Sequence, residues 1–178
     1  MRALVIFESM FGNTRAIAEA IVDGLSSRIH TDLIEVAAAP KVIDDNVGLL
    51  VVGGPTHAFG MSRPGTRRTA AEQAGGDETS SRIGQREWLD AVEGGSERVA
   101  AAAFDTRLDK PHWIVGSAAR AYDKRLRRLG FRVVCPSESF FVAGTAGPLL
   151  DGEAERARRW GLKLASQYAE DEVDRRAS

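Results

Sequence analysis

Short apolar runs alternate along this chain with segments whose apolar residues recur at helical spacing. The run Ala3-Leu4-Val5-Ile6-Phe7 is rich in strand formers and predicts a first strand over about 2–7. After it, Ile17, Ala18, Ile21, Val22 and Leu25 fall on one face of a helix predicted over about 14–27. A second strand is predicted over 31–36, followed by a connector to residue 46. Residues 48–53, Gly-Leu-Leu-Val-Val-Gly, form a continuous apolar run, the mark of a central strand covered on both faces. A fourth strand is predicted over 99–104 and a short helix over 86–92. The helix that begins at Gly116-Ser117-Ala118-Ala119 buries Ala118, Ala119, Tyr122, Leu126 and Leu129, and Gly130 closes it. Runs at 131–134 and 139–142 flank Cys135-Pro136-Ser137-Glu138 and read as one interrupted fifth strand. Asp151 is placed to cap a last helix with Ala157, Trp160, Gly161, Leu164, Ala165 and Tyr168 inside. Regular alternation of strand and helix predicts a parallel sheet with helices on both faces.

Three loops leave the carboxyl ends of predicted strands. In open α/β sheets the ligand crevice lies beyond those ends, where strand order reverses. The first loop is Ser9-Met10-Phe11-Gly12-Asn13-Thr14. Small hydroxyl, amide and glycine residues before a helix aim backbone N–H groups and the positive end of its dipole at one spot, which suits a phosphate. Asn13 or Thr14 would equally serve as an ordinary helix cap. The second loop holds Pro55, Thr56, His57, Ala58, Phe59 and Gly60. His57 and Phe59 offer flat faces to a ring; the plainer alternative is a surface turn with Phe59 tucked into the core. The third is Asp105-Thr106-Arg107-Leu108, in which Asp105 and Thr106 can hydrogen-bond a ligand edge and Arg107 can meet an anion. Residues 62–85 are the least regular stretch, with Pro64, the Gly75-Gly76 pair and five arginines in or beside it. They read as a solvated loop with some helix near 69–74, or as part of a substrate site.

Composition changes this picture by exclusion. The 178 residues suit one domain, expected over 1–169, with a charged and frayed tail at 170–178. A net charge of −1 gives a nucleic-acid partner no global support. Cys135 is alone, and His30, His57 and His112 lack ligand spacing, so no metal site is expected. No apolar run reaches membrane-spanning length and the first residues read as a strand, so the expected location is the cytoplasm, away from membranes. Neither G-x-x-x-x-G-K-[ST] nor G-x-G-x-x-G is present at the loops.

The Ser9–Thr14 loop, and with it Pro55–Gly60, Asp105–Arg107, Gly116–Ala119 and the Leu129-Gly130-Phe131 junction, resembles the flavodoxin family over about 2–169. The resemblance implies a single-domain three-layer α/β sandwich with a five-stranded parallel sheet in the order 2-1-3-4-5. It implies one non-covalent FMN, with its phosphate on Ser9–Thr14 and its ring between Pro55–Gly60 and the third loop. The function it implies is electron transfer to a redox partner protein or a small acceptor, a carrier rather than a stand-alone oxidoreductase. Two alternatives belong to the same fold: an FMN-dependent NAD(P)H:quinone-type reductase, and a cofactor-less protein that acts by contacts. Two departures from well-known flavodoxins bear on redox tuning. Asp105–Leu108 brings no aromatic, leaving Trp113 the nearest large ring, and the chain is nearly neutral rather than acidic. A phosphoacceptor receiver would need an acidic residue where Gly53-Gly54-Pro55 stands, and a low-molecular-weight phosphatase would need a cysteine in the first loop.

Overall fold

The computed structural model describes residues 1–57, 59–74, 83–93 and 95–177. Its sheet is built from β1 (Arg2–Phe7), β2 (Thr31–Glu35), β3 (Val47–His57) and β5 (Ala100–Leu108), parallel and in the order β2-β1-β3-β5. Two short strands, β6 (Arg132–Val133) and β7 (Glu138–Val142), both pair in parallel with β5. They are the two halves of the interrupted fifth strand, so the order 2-1-3-4-5 holds. One antiparallel piece, β4 (Gly60–Met61), folds back on the end of β3.

Period-two alternation sends successive residues of the central strands to opposite faces. Ala3, Val5, Leu49 and Val51 pack under α1 (Asn13–Ser26) and α6 (Glu153–Ala177), against Ile17, Ile21 and Leu164. Leu4, Ile6, Leu50 and Val52 pack on the other side under α3 (Gln85–Ala91) and α5 (Ala118–Arg128), against Trp88, Leu89, Tyr122 and Leu126. Both faces of β1 and β3 are therefore dry, which is why they read as unbroken apolar runs. Among the described residues no helix is long and apolar enough to cross a membrane.

Four expectations need correction. First, β3 runs on to His57 and β5 to Leu108, so Gly54–His57 and Asp105–Leu108 are strand and not loop. Gly54 and Pro55 pair in register with Asp105 and Thr106, and β7 pairs with β5 along Phe104–Leu108, which keeps these polar residues extended. Second, Pro64–Ala74 is a continuous helix, α2, held by Arg67, whose side chain is buried and not solvated. The Gly75-Gly76 pair and Arg82 lie outside the described residues. Third, the chain after Glu170 stays helical to Ala177. Arg132 pairs with Asp171, and Arg175 donates to the carbonyl of Glu97 at 2.8 Å, so charge that reads as fraying in fact tethers the last turns. Fourth, α6 starts at Glu153, after Gly152 rather than directly on Asp151, and the Glu153 carboxylate accepts the N–H of Phe141 at 2.7 Å.

Candidate functional site

The β1–α1 loop turns into its helix through Gly12, whose φ of 85° is the left-handed conformation that glycine adopts freely. Ser9 Oγ accepts the N–H of Arg15 at 3.2 Å and so caps the first turn of α1. The Asn13 amide donates to the carbonyl of Ala146 at 3.0 Å, tying the loop to the β7–α6 turn. Gly147 packs directly on that amide, where any Cβ would collide with it. The hydroxyls of Thr14 and Thr106 are 2.6 Å apart. Among the described residues, none accepts from the backbone N–H groups of Met10, Phe11, Gly12, Asn13 or Thr14. Ser9 is thus a cap, while the main chain around it is left with unmet donors at the positive end of a helix.

Across the sheet edge, the β3–β4 hairpin carries Thr56 and His57 toward the same place. Thr56 Oγ1 donates to Asp105 Oδ2 at 2.9 Å and accepts the N–H of Ala118 at 2.8 Å. Asp105 Oδ2 also accepts from the Ser117 hydroxyl at 2.8 Å and from the N–H of Ala119 at 2.9 Å. Asp105, with 0 % of its surface exposed, is therefore a clasp between β3, β5 and the start of α5. The Arg107 guanidinium lies over the Phe141 ring, 4.9 Å from its centroid, and donates to the carbonyls of Leu108 and Lys110. Its Nε is buried with no partner among the described residues. Burial, and then the nearby Arg67 charge, holds the His57 pKa below its ordinary value.

These three segments meet at one open cleft. Met10, Phe11, Asn13 and Thr14 form one wall; Pro55, Thr56 and His57, with Thr106 and Arg107, form the other. Leu108, Val142 and Thr145 complete it, and the last two went unforeseen because a strand end and a small-residue turn carry no chemical signature in sequence. Of the remaining expected contacts, Ser9 and Gly12 shape the loop, and Asp105 lies beneath the floor rather than on the lining. Phe59 stands at the hairpin tip with a φ of 73° and 71 % of its surface exposed, so it is no core residue. Gly60 pairs with His57, and Phe59 bridges to Gly116 just past the short helix α4 (His112–Val115), on which Trp113 is 75 % exposed. Ala58 lies outside the described residues.

Comparison with known proteins bears on the family and the fold. The flavodoxin family profile matches residues 5–160. No curated protein matches the chain. Among solved structures, a flavodoxin from the domain Archaea is 19 % identical, with a TM-score of 0.61 over 95 % of this chain and 99 % of that one. Oxidised flavodoxin 1 from Bacillus cereus is 17 % identical, with a TM-score of 0.64 over 96 % and 98 %. The flavodiiron protein from Giardia intestinalis is 18 % identical, with a TM-score of 0.58, and the match covers 94 % of this chain but 36 % of that one. At these identities the structures speak for the fold; the profile, spanning most of the chain, speaks for descent. The chain belongs to the flavodoxin family, the FMN-binding electron-transfer flavoproteins.

Proposed function

We propose that this protein carries electrons on an FMN held in the cleft between Met10–Thr14 and the paired ends of β3 and β5. The observation that carries the reading is the row of unaccepted N–H groups at Met10–Thr14, in a loop whose Met10, Phe11, Asn13 and Thr14 line a cleft that the other two predicted segments also line. A dianionic phosphate fits such donors at a helix N-terminus, and Asn13 is braced against Ala146 beside them. The ring then lies against Pro55–His57 and Thr106–Arg107, with the exposed Phe59 and Trp113 available to cover its outer face. Bound there, FMN supplies the redox chemistry, and the chain supplies binding and electrostatic surroundings. Arg107 favours added negative charge on the ring and the buried Asp105 opposes it. The recipient is a redox partner protein or a small acceptor that reaches the open side of the cleft.

An absorbance spectrum of the purified protein, with and without added FMN, tests the reading. Visible bands of bound oxidised flavin support it, and a colourless protein that does not take up FMN contradicts it. Steady oxidation of NAD(P)H by the isolated holoprotein would make it a reductase instead of a carrier.

A further inference from the structure

Behind the cleft, on the face covered by α3 and α5, three neighbouring strand ends bring Glu8, Gly54 and Asp105 into a row. Gly54 pairs in register with Asp105, and the N–H of Glu8 donates to the carbonyl of Gly53 at 2.9 Å. The middle position has no side chain, and a Cβ there would collide with the Tyr122 hydroxyl. Tyr122 therefore rests its phenol oxygen over Gly54, between two carboxylates. Glu8, Tyr122 and Asp105 are all buried. Pro55 and Thr56, the next residues of β3, line the cleft, and Thr56 bonds to Asp105 in the row.

Bonding and charge in the row are uneven. Glu8 accepts from the Ser62 hydroxyl at 2.5 Å and from the N–H of Gln85 at 2.8 Å. Asp105 Oδ1, the Tyr122 hydroxyl and Gln85 Oε1 are buried with no hydrogen-bond partner among the described residues. The charged or titratable groups facing Glu8 are Arg67 of α2, Glu87 of α3 and Tyr122 of α5, with Asp105 and Arg86 beyond the phenol. Arg67 is itself paired with Glu87 at 3.0 Å, so one buried guanidinium is shared between two carboxylates. Asp105 makes no ion pair among the described residues, and its three bonds converge on Oδ2. Glu8 and Glu87 face the same guanidinium, and two carboxylates that share one buried cation resist holding full charge together.

We propose that Glu8 is a redox-linked proton site, whose carboxyl gains a proton when the neighbouring cleft gains an electron. The inference rests on the FMN reading, because FMN is what brings the electron. A one-electron reductant gives up an electron to FMN, and one proton from solvent bonds to a Glu8 carboxylate oxygen, so the net charge of cleft and floor is unchanged. Burial is the largest influence on Glu8 and holds its pKa above the ordinary carboxylate value, with Glu87 adding to the rise. The hydrogen bonds from Ser62 and Gln85 and the Arg67 charge pull the other way. Negative charge arriving across Thr56 pushes the pKa further up, and that difference between the two redox states is the coupling.

The test is the midpoint potential of bound FMN against pH in the wild type and in Glu8→Gln. Alongside it, an indicator dye in weak buffer counts the protons taken up per electron. Proton uptake by the flavin itself is common to both proteins, so the difference belongs to Glu8. The wild-type potential is expected to fall more steeply with rising pH, at most by about tenfold more per pH unit in the reduction constant. The wild type should also take up more protons per electron. Equal slopes and equal counts overturn the proposal.

Unfolding of the FMN-free protein separates the two readings. A raised carboxylate pKa means that the folded state binds more protons than the unfolded one between the two pKa values, so stability falls as pH rises through that window. Glu8→Gln should lack this fall. If FMN binds and the potential slopes agree, the redox link alone fails. If FMN never binds, the function and the link both fail, while the unfolding slope still reports whether Glu8 is a buried proton site. Should Glu8→Gln not fold, Ser62→Ala takes its place. Removing the hydroxyl that donates to Glu8 disfavours the charged carboxyl, so the extra slope should move to higher pH, and an unmoved window overturns the proposal.

Discussion

The hydroxyls of Thr14 and Thr106 are 2.6 Å apart, linking the first turn of α1 to the end of β5 across the base of the cleft. Both residues are buried. One hydroxyl donates to the other, so the pair keeps one further proton to direct elsewhere.

That link predicts coupled stability. Thr106→Val leaves the buried Thr14 hydroxyl without its partner and should cost about 1–3 kcal/mol. Thr14→Val together with Thr106→Val should cost less than the sum of the two single changes, because the second removes a group already orphaned. Urea unfolding of the four proteins measures this, and strict additivity would show that the two hydroxyls do not act as a pair.

Asp105 and Arg107 stand two residues apart on β5 but should tune the bound FMN in opposite directions. At an effective dielectric of about 20, a unit charge ~6–8 Å away contributes roughly 2–3 kcal/mol before screening by salt. Asp105→Asn should therefore raise the flavin potential. It should also destabilise the fold by about 1.5–3 kcal/mol, through weaker bonds to Thr56, Ser117 and Ala119. Arg107→Ala should lower the potential, whereas Arg107→Lys should keep it near the wild-type value while loosening the packing on Phe141. Potentiometric titration decides, and an unchanged potential in Arg107→Ala would show that its charge is screened from the ring.

His57 gives a pH prediction of definite sign. Its folded pKa is lowered, by burial first and by Arg67 second. Between the folded value and the unfolded value of about 6.5, the unfolded chain holds a proton that the folded one refuses, so stability falls as pH falls through that window. His57→Gln should reduce this acid loss. Comparing urea midpoints of the two proteins near pH 7.5 and about pH 5.5 checks it, and parallel losses would show that His57 titrates normally.

Much of this architecture could be read from sequence because its signals are local. The unbroken apolar runs of β1 and β3 mark central strands, and Ser9, Gly12, Asn13 and Thr14 mark a turn into a helix. Even the interrupted fifth strand could be seen in two apolar pieces around Pro136. What escaped depends on partners distant in the chain. Arg67 reads as a solvated arginine until Glu8, Ser62 and Glu87 are brought around it. Asp105 reads as a loop ligand because nothing near it in sequence reveals that Thr56 and Ser117 will take its carboxylate. Val142 and Thr145 reach the cleft through β7 pairing with β5 and the turn that follows.

The central claim is that the unaccepted N–H groups of Met10–Thr14 bind the FMN phosphate, and one titration addresses it directly. Apoprotein is titrated with FMN and, separately, with riboflavin, following flavin fluorescence. Charge-assisted hydrogen bonds contribute roughly 1.5–3 kcal/mol each, so two or more should make FMN at least ~100-fold tighter than riboflavin. Equal affinities, or no binding of either flavin, would mean that the Ser9–Thr14 loop is a helix cap and nothing more.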